Sequence, residues 1–189
     1  MVSCSIIGCP AWGAEPSEEP ITWVGKSRRI IFHHTAGHHP EISHPHDESR
    51  AEAIKYAQQI QRFHKSQGWI DSGHNFLVCR NGLILQGRWR SIRSIQKGQM
   101  VRSAHCPGQN DQIGIEHEHF GDELMTQEQR RSSSRLMAWI SDQYDRKKIL
   151  PVHPHSEFFA TSCPANLTRE IPTIVRVAQA ILDTEGGDR

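Results

Sequence analysis

The feature that most constrains the fold is a change of hydrophobic pattern along the chain, from a continuous apolar run typical of a buried strand to the three-to-four-residue repeat of a helix. The continuous apolar run Ile30-Ile31-Phe32, within residues 28–34, predicts a buried strand. Between Glu48 and Ser66 apolar residues recur every three or four positions, which predicts a helix that Gly68 ends. A strand followed by an amphipathic helix is typical of a sheet with helices packed on its faces.

A hairpin and one more strand are predicted in the middle of the chain. Asn81-Gly82 separates two apolar runs, residues 75–78 and 83–85, and Asn-Gly in that setting is a strong hairpin signal. The short apolar run Ile113-Gly114-Ile115 again indicates a buried strand. These segments add three strands to the predicted sheet.

Two helices are predicted in the last third of the chain. Thr126 and Gln129 have the spacing of a capping box at the start of the first, and the second has an apolar face that begins at Ile171. The approximate order is βαβββαα, with no internal repeat and no long linker. We therefore predict one α/β domain over residues 1–189, with residues 1–27 as a segment that packs on it.

Composition and charge exclude several classes of partner. The 189 residues include 22 basic and 21 acidic side chains, so the formal charge of +1 does not support an overall electrostatic attraction to nucleic acid or to an anionic membrane. No apolar stretch approaches the roughly 18 residues of a membrane span. Residues 1–15 lack the basic start and long apolar run of a secretory signal. We therefore expect a cytoplasmic protein, or one released by a route that the sequence does not encode.

The chain contains 13 histidines, and imidazole is both the commonest metal ligand and the side chain that titrates nearest neutral pH. A catalytic zinc site needs three protein ligands and one open position. His33 and His34 end the first predicted strand, His153 and His155 form a second pair, and Cys163 lies eight positions after His155. The spacing favours a metal site here and leaves open which histidine of each pair binds.

The alternative for these residues is a purely structural role. A buried histidine can be a hydrogen-bonded core residue, and Cys163 can be a small buried hydrophobe. The stretch from His38 to His46 holds four histidines and two prolines, and we interpret it as an irregular loop without a catalytic role. The five cysteines are an odd number, which leaves at least one thiol outside any internal disulfide scheme.

Five segments of the chain, taken in order, match the motifs of one family. The segments are Ala11-Trp12-Gly13-Ala14, Phe32-His33-His34-Thr35-Ala36, Gly68 to Val78, Ser103-Ala104-His105 with Asn110 to Glu116, and His155 with Thr161-Ser162-Cys163-Pro164. Together they resemble the zinc-dependent N-acetylmuramoyl-L-alanine amidases of the type shared by phage lysins and peptidoglycan recognition proteins. The resemblance covers nearly the whole length.

The resemblance implies a central mixed β-sheet flanked by helices and one Zn²⁺ per chain. The implied zinc ligands are His33, His155 and Cys163. The implied catalytic residues are Glu116, His74 and Thr161. The implied substrate-binding residues are Asn75, Arg102 and His105. Strand alternation sends Glu116 and Glu118 to the same face, so only the resemblance selects Glu116.

Two positions depart from the family pattern. His74 stands where many relatives have Tyr, although an imidazole can also donate a hydrogen bond to an oxyanion or accept a proton. Ala165 follows Cys163-Pro164, where relatives usually have Gly. If this position requires a positive φ, Ala165 is strained by about 1 kcal/mol or more.

The leading hypothesis is hydrolysis of the amide between N-acetylmuramic acid and L-alanine in peptidoglycan or muropeptides. A phage lysin made in the host cytoplasm and released through a holin pore fits the sequence, and so does a cytoplasmic muropeptide-recycling enzyme. The alternative is a module that binds peptidoglycan or muropeptide without cutting it. We expect a monomer without nucleic-acid partner or membrane insertion. A structural zinc or redox protein is disfavoured because the chain has no Cys-x-x-Cys pair.

Overall fold

The computed structural model describes residues 1–18, 20–37 and 49–186 and centres on a mixed five-stranded sheet. The strands are β1 (Trp23–Val24), β2 (Ile30–His34), β3 (Phe76–Val78), β4 (Ile84–Gln86), β5 (Met100–Val101), β6 (Ile113–His117) and β7 (Val152–Pro154). The sheet order is β4-β3-β6-β2-β7, in which β4 is antiparallel to β3 and the other neighbours are parallel. β1 and β5 form a separate antiparallel pair.

Four α-helices accompany the strands. They are α1 (Arg50–Ser66), α2 (Ser91–Gln96), α3 (Gln127–Gln143) and α4 (Ile171–Glu185). Short 3-10 segments lie at Cys9–Trp12, His155–Glu157 and Ala165–Arg169. The predicted α/β architecture with a central mixed sheet and flanking helices is confirmed.

Alternation along β3 separates two apolar layers. Phe76 and Val78 point into the larger core, which includes residues of α3 and α4, while Leu77 packs in a smaller cluster with Ala53 and Ala57 of α1. Helices therefore cover both faces of the sheet, and one face is shared between α1 and the polar residues described below.

Most predicted elements are present, with small differences at their ends. α1 begins at Arg50 rather than Glu48, because Ser49 and Glu52 form a capping box there. Phe63, one of the apolar residues in the helical pattern predicted between Glu48 and Ser66, is 61% exposed. Thr126 caps α3, but the Gln129 side chain donates to the carbonyls of Val78 and Glu118 instead of completing the predicted box.

The hairpin predicted at Asn81-Gly82 is confirmed. β3 and β4 pair antiparallel, and the N–H of Cys79 donates to the carbonyl of Leu83 at 2.9 Å. Gly82 has a φ of +84°, a left-handed conformation that glycine adopts without a Cβ penalty.

The N-terminal segment contacts the domain over much of its length. Ile7 exchanges backbone hydrogen bonds with Ile84 and Gln86 of β4, each at 2.9 Å, and the Trp12 indole donates to the Gln86 carbonyl at 2.9 Å. All five cysteines are free thiols. The His38–His46 stretch lies outside the described residues.

No helix within the described ranges is both long enough and apolar enough to cross a membrane.

Candidate functional site

Polar side chains line up at one end of the sheet. His33 of β2 lies beside Glu116 of β6 in the parallel register, so both side chains project from the same face. Phe32 of β2 pairs with Pro154, the last residue of β7. In this parallel register the next residue of each segment, His33 and His155, lies at the same end of the sheet. The sheet thus brings together residues that are far apart in sequence.

His33, His155 and Cys163 form a group suited to a metal ion. One donor atom from each lies within 4.8 Å of the others, and Nδ1 of His33 is 3.8 Å from Sγ of Cys163. The backbone N–H of His34 donates to Cys163 Sγ at 3.4 Å. The other member of the second histidine pair, His153, contacts the carboxylate of Glu157 at 2.9 Å instead.

A second polar group adjoins the first and consists of His64, His74 and Glu116. All three side chains are buried, and one polar atom from each lies within 4.8 Å of the others. His74 Nδ1 is 3.0 Å from Glu116 Oε2, a close contact that is not aligned as a hydrogen bond. The His74 and His33 ring centroids are 4.5 Å apart, which joins the two groups.

Charge favours an ionised Glu116 beside His74. Burial alone would raise the pKa of the Glu116 carboxyl, but the neighbouring His74 lowers this pKa to about 2, with smaller contributions from His64 and His117. Glu118, the other carboxylate considered from the sequence, accepts from the backbone N–H of Arg80 at 3.1 Å. Of the two glutamates, Glu116 is therefore the one beside the histidines.

His105 lies deeper than the sequence suggested. It is 5% exposed, and its two ring nitrogens contact His33 Nε2 at 2.8 Å and the Gln112 carbonyl at 3.0 Å. Asn75 is also enclosed, because its side-chain nitrogen donates to Ser91 Oγ and to the Val101 carbonyl. These arrangements favour supporting roles over the substrate contacts expected from the sequence.

The structure places Thr161 next to Cys163 and Arg102 at the surface. Thr161 Oγ1 accepts from the backbone N–H of Cys163 at 3.2 Å, which leaves its hydroxyl hydrogen to donate elsewhere. Arg102 is exposed and follows β5 directly. Ala165 has a φ of +58°, the positive value for which strain was expected.

His64 is the residue of this region that the sequence reasoning missed. It accepts a hydrogen bond at Nδ1 from the backbone N–H of Gly73 at 3.1 Å and stacks on Trp69. The available signal was its helical position, because Ala57, Gln61 and His64 follow one buried face of α1. A histidine on such a face is consistent with core packing, so its proximity to Glu116 could not be deduced from periodicity.

Buried neutral histidines predict acid sensitivity. Burial lowers the pKa of His64 and of His117 to about 4, and that of His105 to about 3. In the unfolded chain these groups titrate near 6.5, so below that pH the unfolded state takes up protons that the folded state does not. The free energy of unfolding of the metal-free protein should therefore fall between pH 6.5 and about 4, by at most about 1.4 kcal/mol per pH unit for each histidine.

Urea titrations of chelated protein across this pH range measure the effect. The slope should be smaller for His64→Gln than for the wild type. Equal stability at pH 7 and pH 5 would contradict the prediction.

The fold and the polar groups at the sheet end define an α/β domain with a potential metal site. A family model described as N-acetylmuramoyl-L-alanine amidase matches residues 24–166, and the chain belongs to this family. The family membership predicted from the sequence is confirmed.

Individual relatives agree with this assignment. Peptidoglycan-recognition protein SC2 of Drosophila melanogaster is 27% identical over 180 residues, covering 92% of this chain and 88% of the relative. The endolysin of Escherichia phage T7 is 25% identical over 114 residues, covering 57% of this chain and 68% of the endolysin. Among solved structures, peptidoglycan recognition protein-LE in complex with tracheal cytotoxin matches with a TM-score of 0.72 and 26% identity, covering 89% of this chain and 92% of that one.

Proposed function

We propose that this protein is a zinc-dependent N-acetylmuramoyl-L-alanine amidase. Its reaction would be hydrolysis of the amide between the lactyl group of N-acetylmuramic acid and L-alanine in peptidoglycan or muropeptides. The observation that carries the proposal is the position of one ionised, buried carboxylate, Glu116, beside a two-histidine, one-cysteine group. Family membership supports the reaction class.

The donor set fits zinc. Two imidazole nitrogens and one thiolate are ligand types that catalytic zinc sites use, with a fourth position left open. Both ring nitrogens of His155 are buried without a hydrogen-bond partner among the described residues, which is costly unless a ligand engages one of them. Burial raises the pKa of the Cys163 thiol to about 12, so this thiol would lose its proton only on binding a cation.

Side chains next to the metal group would carry out the proton transfers of the reaction. Zinc, when bound, lowers the pKa of water to about 7 and polarises the substrate carbonyl. Glu116 and His74, whose Oε2 and Nδ1 atoms are 3.0 Å apart, would act as one acid–base unit. This unit would accept the proton of the attacking water and return it to the departing nitrogen of L-alanine.

Two further residues would orient the substrate. The Thr161 hydroxyl, held by its contact with the Cys163 backbone, can donate to the carbonyl oxygen of the scissile amide. The exposed Arg102 guanidinium can bind a carboxylate of the stem peptide with two parallel hydrogen bonds.

The second candidate function is binding of peptidoglycan without hydrolysis. It is supported by the similarity to peptidoglycan recognition proteins, one of which is solved in complex with a monomeric diaminopimelic acid-type peptidoglycan. The complete donor set and the adjacent carboxylate favour the amidase, because a protein that only binds muropeptide requires neither.

The direct test is incubation of zinc-loaded protein with a soluble muropeptide, with mass-spectrometric detection of a released peptide that begins with L-alanine. We expect release that stops on chelation and returns when zinc is added. Tight binding of muropeptide without release would favour the recognition module. Zymography on intact walls in parallel distinguishes a lysin, which should clear them, from a muropeptide-recycling enzyme, which should act only on soluble fragments.

A further inference from the structure

A chain of two histidines and one carbonyl lies behind the candidate ligand His33. His33 Nε2 is 2.8 Å from His105 Nδ1, and His105 Nε2 is 3.0 Å from the carbonyl oxygen of Gln112. All three groups are enclosed, since His33 is 2% exposed, His105 5% and Gln112 5%. Water therefore does not compete for these contacts.

The proton positions in this chain follow from elementary valence. A carbonyl oxygen can only accept, so His105 Nε2 carries a proton. A neutral imidazole carries a single N–H, so with that hydrogen on Nε2 the Nδ1 of His105 is a lone-pair acceptor. The hydrogen on the His33–His105 contact must then be on His33 Nε2. The lone pair of His33 is left on Nδ1, the nitrogen that lies 3.8 Å from Cys163 Sγ.

The strand beneath His105 is shaped to admit its ring. A Cβ at Gly114 would lie 2.5 Å from Cδ2 and 2.6 Å from Cγ of His105, distances that real Cβ atoms essentially never show. Gly114 is the middle residue of the Ile113-Gly114-Ile115 run in β6, two positions before Glu116. The ring of His105 thus occupies the space that any other residue at position 114 would fill.

We propose that His105 is a positioning residue for the metal site rather than a substrate contact. It holds His33 in the tautomer and ring orientation that present Nδ1 to zinc, and the Gln112 carbonyl and the absence of a side chain at Gly114 hold His105 in turn. The inference rests on the proposed zinc site but not on amidase activity. Loss of such an outer hydrogen bond typically lowers metal affinity by about 10- to 100-fold.

Zinc affinity, measured by competition with a chromophoric chelator, tests the role. His105→Leu and Gly114→Ala should each weaken zinc binding by about 10- to 100-fold, because the first removes the acceptor and the second displaces it. His105→Asn, whose side-chain oxygen can replace Nδ1 as acceptor, should restore most of the affinity. Gly25→Ala is the matched glycine control, since a Cβ there meets nothing within 4 Å.

Nitrogen NMR of the histidine rings in the metal-free protein gives a readout independent of zinc and of turnover. We expect the Nε2–H tautomer for both His33 and His105 in the wild type, and its loss at His33 in Gly114→Ala. An Nδ1–H tautomer at His33 would overturn the proposal. So would a His105→Leu protein that binds zinc normally and shows only a raised KM, because that result assigns His105 to the substrate. Failure of the amidase function alone would leave the affinity and tautomer results interpretable.

Discussion

His33→Ala should bind no stoichiometric zinc and should lose amidase turnover by about 10³-fold or more, because a zinc ion supplies several kcal/mol of transition-state stabilisation. The substitution removes the one ligand that β2 contributes, and His155 with Cys163 leaves only two donors. Cys163→Ser, which replaces the thiol by a poorer zinc ligand of similar size, should have the same effect.

Metal content by mass spectrometry and release of the L-alanine peptide measure the two losses in parallel. Far-UV circular dichroism should show that both variants keep the fold. The matched control is His153→Ala, because His153 belongs to the same His-Pro-His segment but pairs with Glu157 and lies outside the donor group. A His33→Ala protein with one zinc per chain would contradict the ligand assignment.

Glu116→Gln should retain zinc and lose about 10²- to 10⁴-fold in kcat, the usual contribution of a general acid–base group. The amide keeps the size of the side chain, but it cannot accept a proton from water. His33, His155 and Cys163 are not altered, so zinc affinity should stay within a few-fold of the wild type.

Glu118→Gln is the matched control for this variant. Glu118 is also buried and follows β6 directly, but its carboxylate accepts from the backbone of Arg80. We expect its kcat to be close to that of the wild type. Normal turnover by Glu116→Gln would refute the proposed role of the carboxylate.

The fold could be predicted where local signals are strong. Asn81-Gly82 specifies the hairpin through a turn that needs a positive φ, and the run 30–32 specifies a strand buried on both faces. β7 was not predicted, because Val152–Pro154 is three residues long and includes a proline, which is tolerated at a sheet edge. The short pair β1 and β5 and the six-residue helix α2 also lack a periodic pattern long enough to recognise.

The site could be predicted only in part for a different reason. Sequence spacing did not decide whether His33 or His34 is the metal ligand. Strand pairing puts His33 on the same face as Glu116. Alternation could not separate Glu116 from Glu118, because residues two apart share a face, and tertiary contacts distinguish them. His105 can be buried because Gly114 of β6 has no side chain to exclude its ring. The residues around His105 in the sequence give no indication of this contact.

The parallel order of the sheet places β2 next to β7, although their site residues are separated by most of the chain. A cation held by His33 and Cys163 would be a removable cross-link across 130 positions of sequence. Closing so long a loop carries a large entropic cost in the unfolded chain, and the ion would offset part of that cost only when the sheet edge is assembled. Binding of the ion by His33, His155 and Cys163 would therefore depend on an intact β7, so that a protein in which β7 has separated from β2 would also lose its metal.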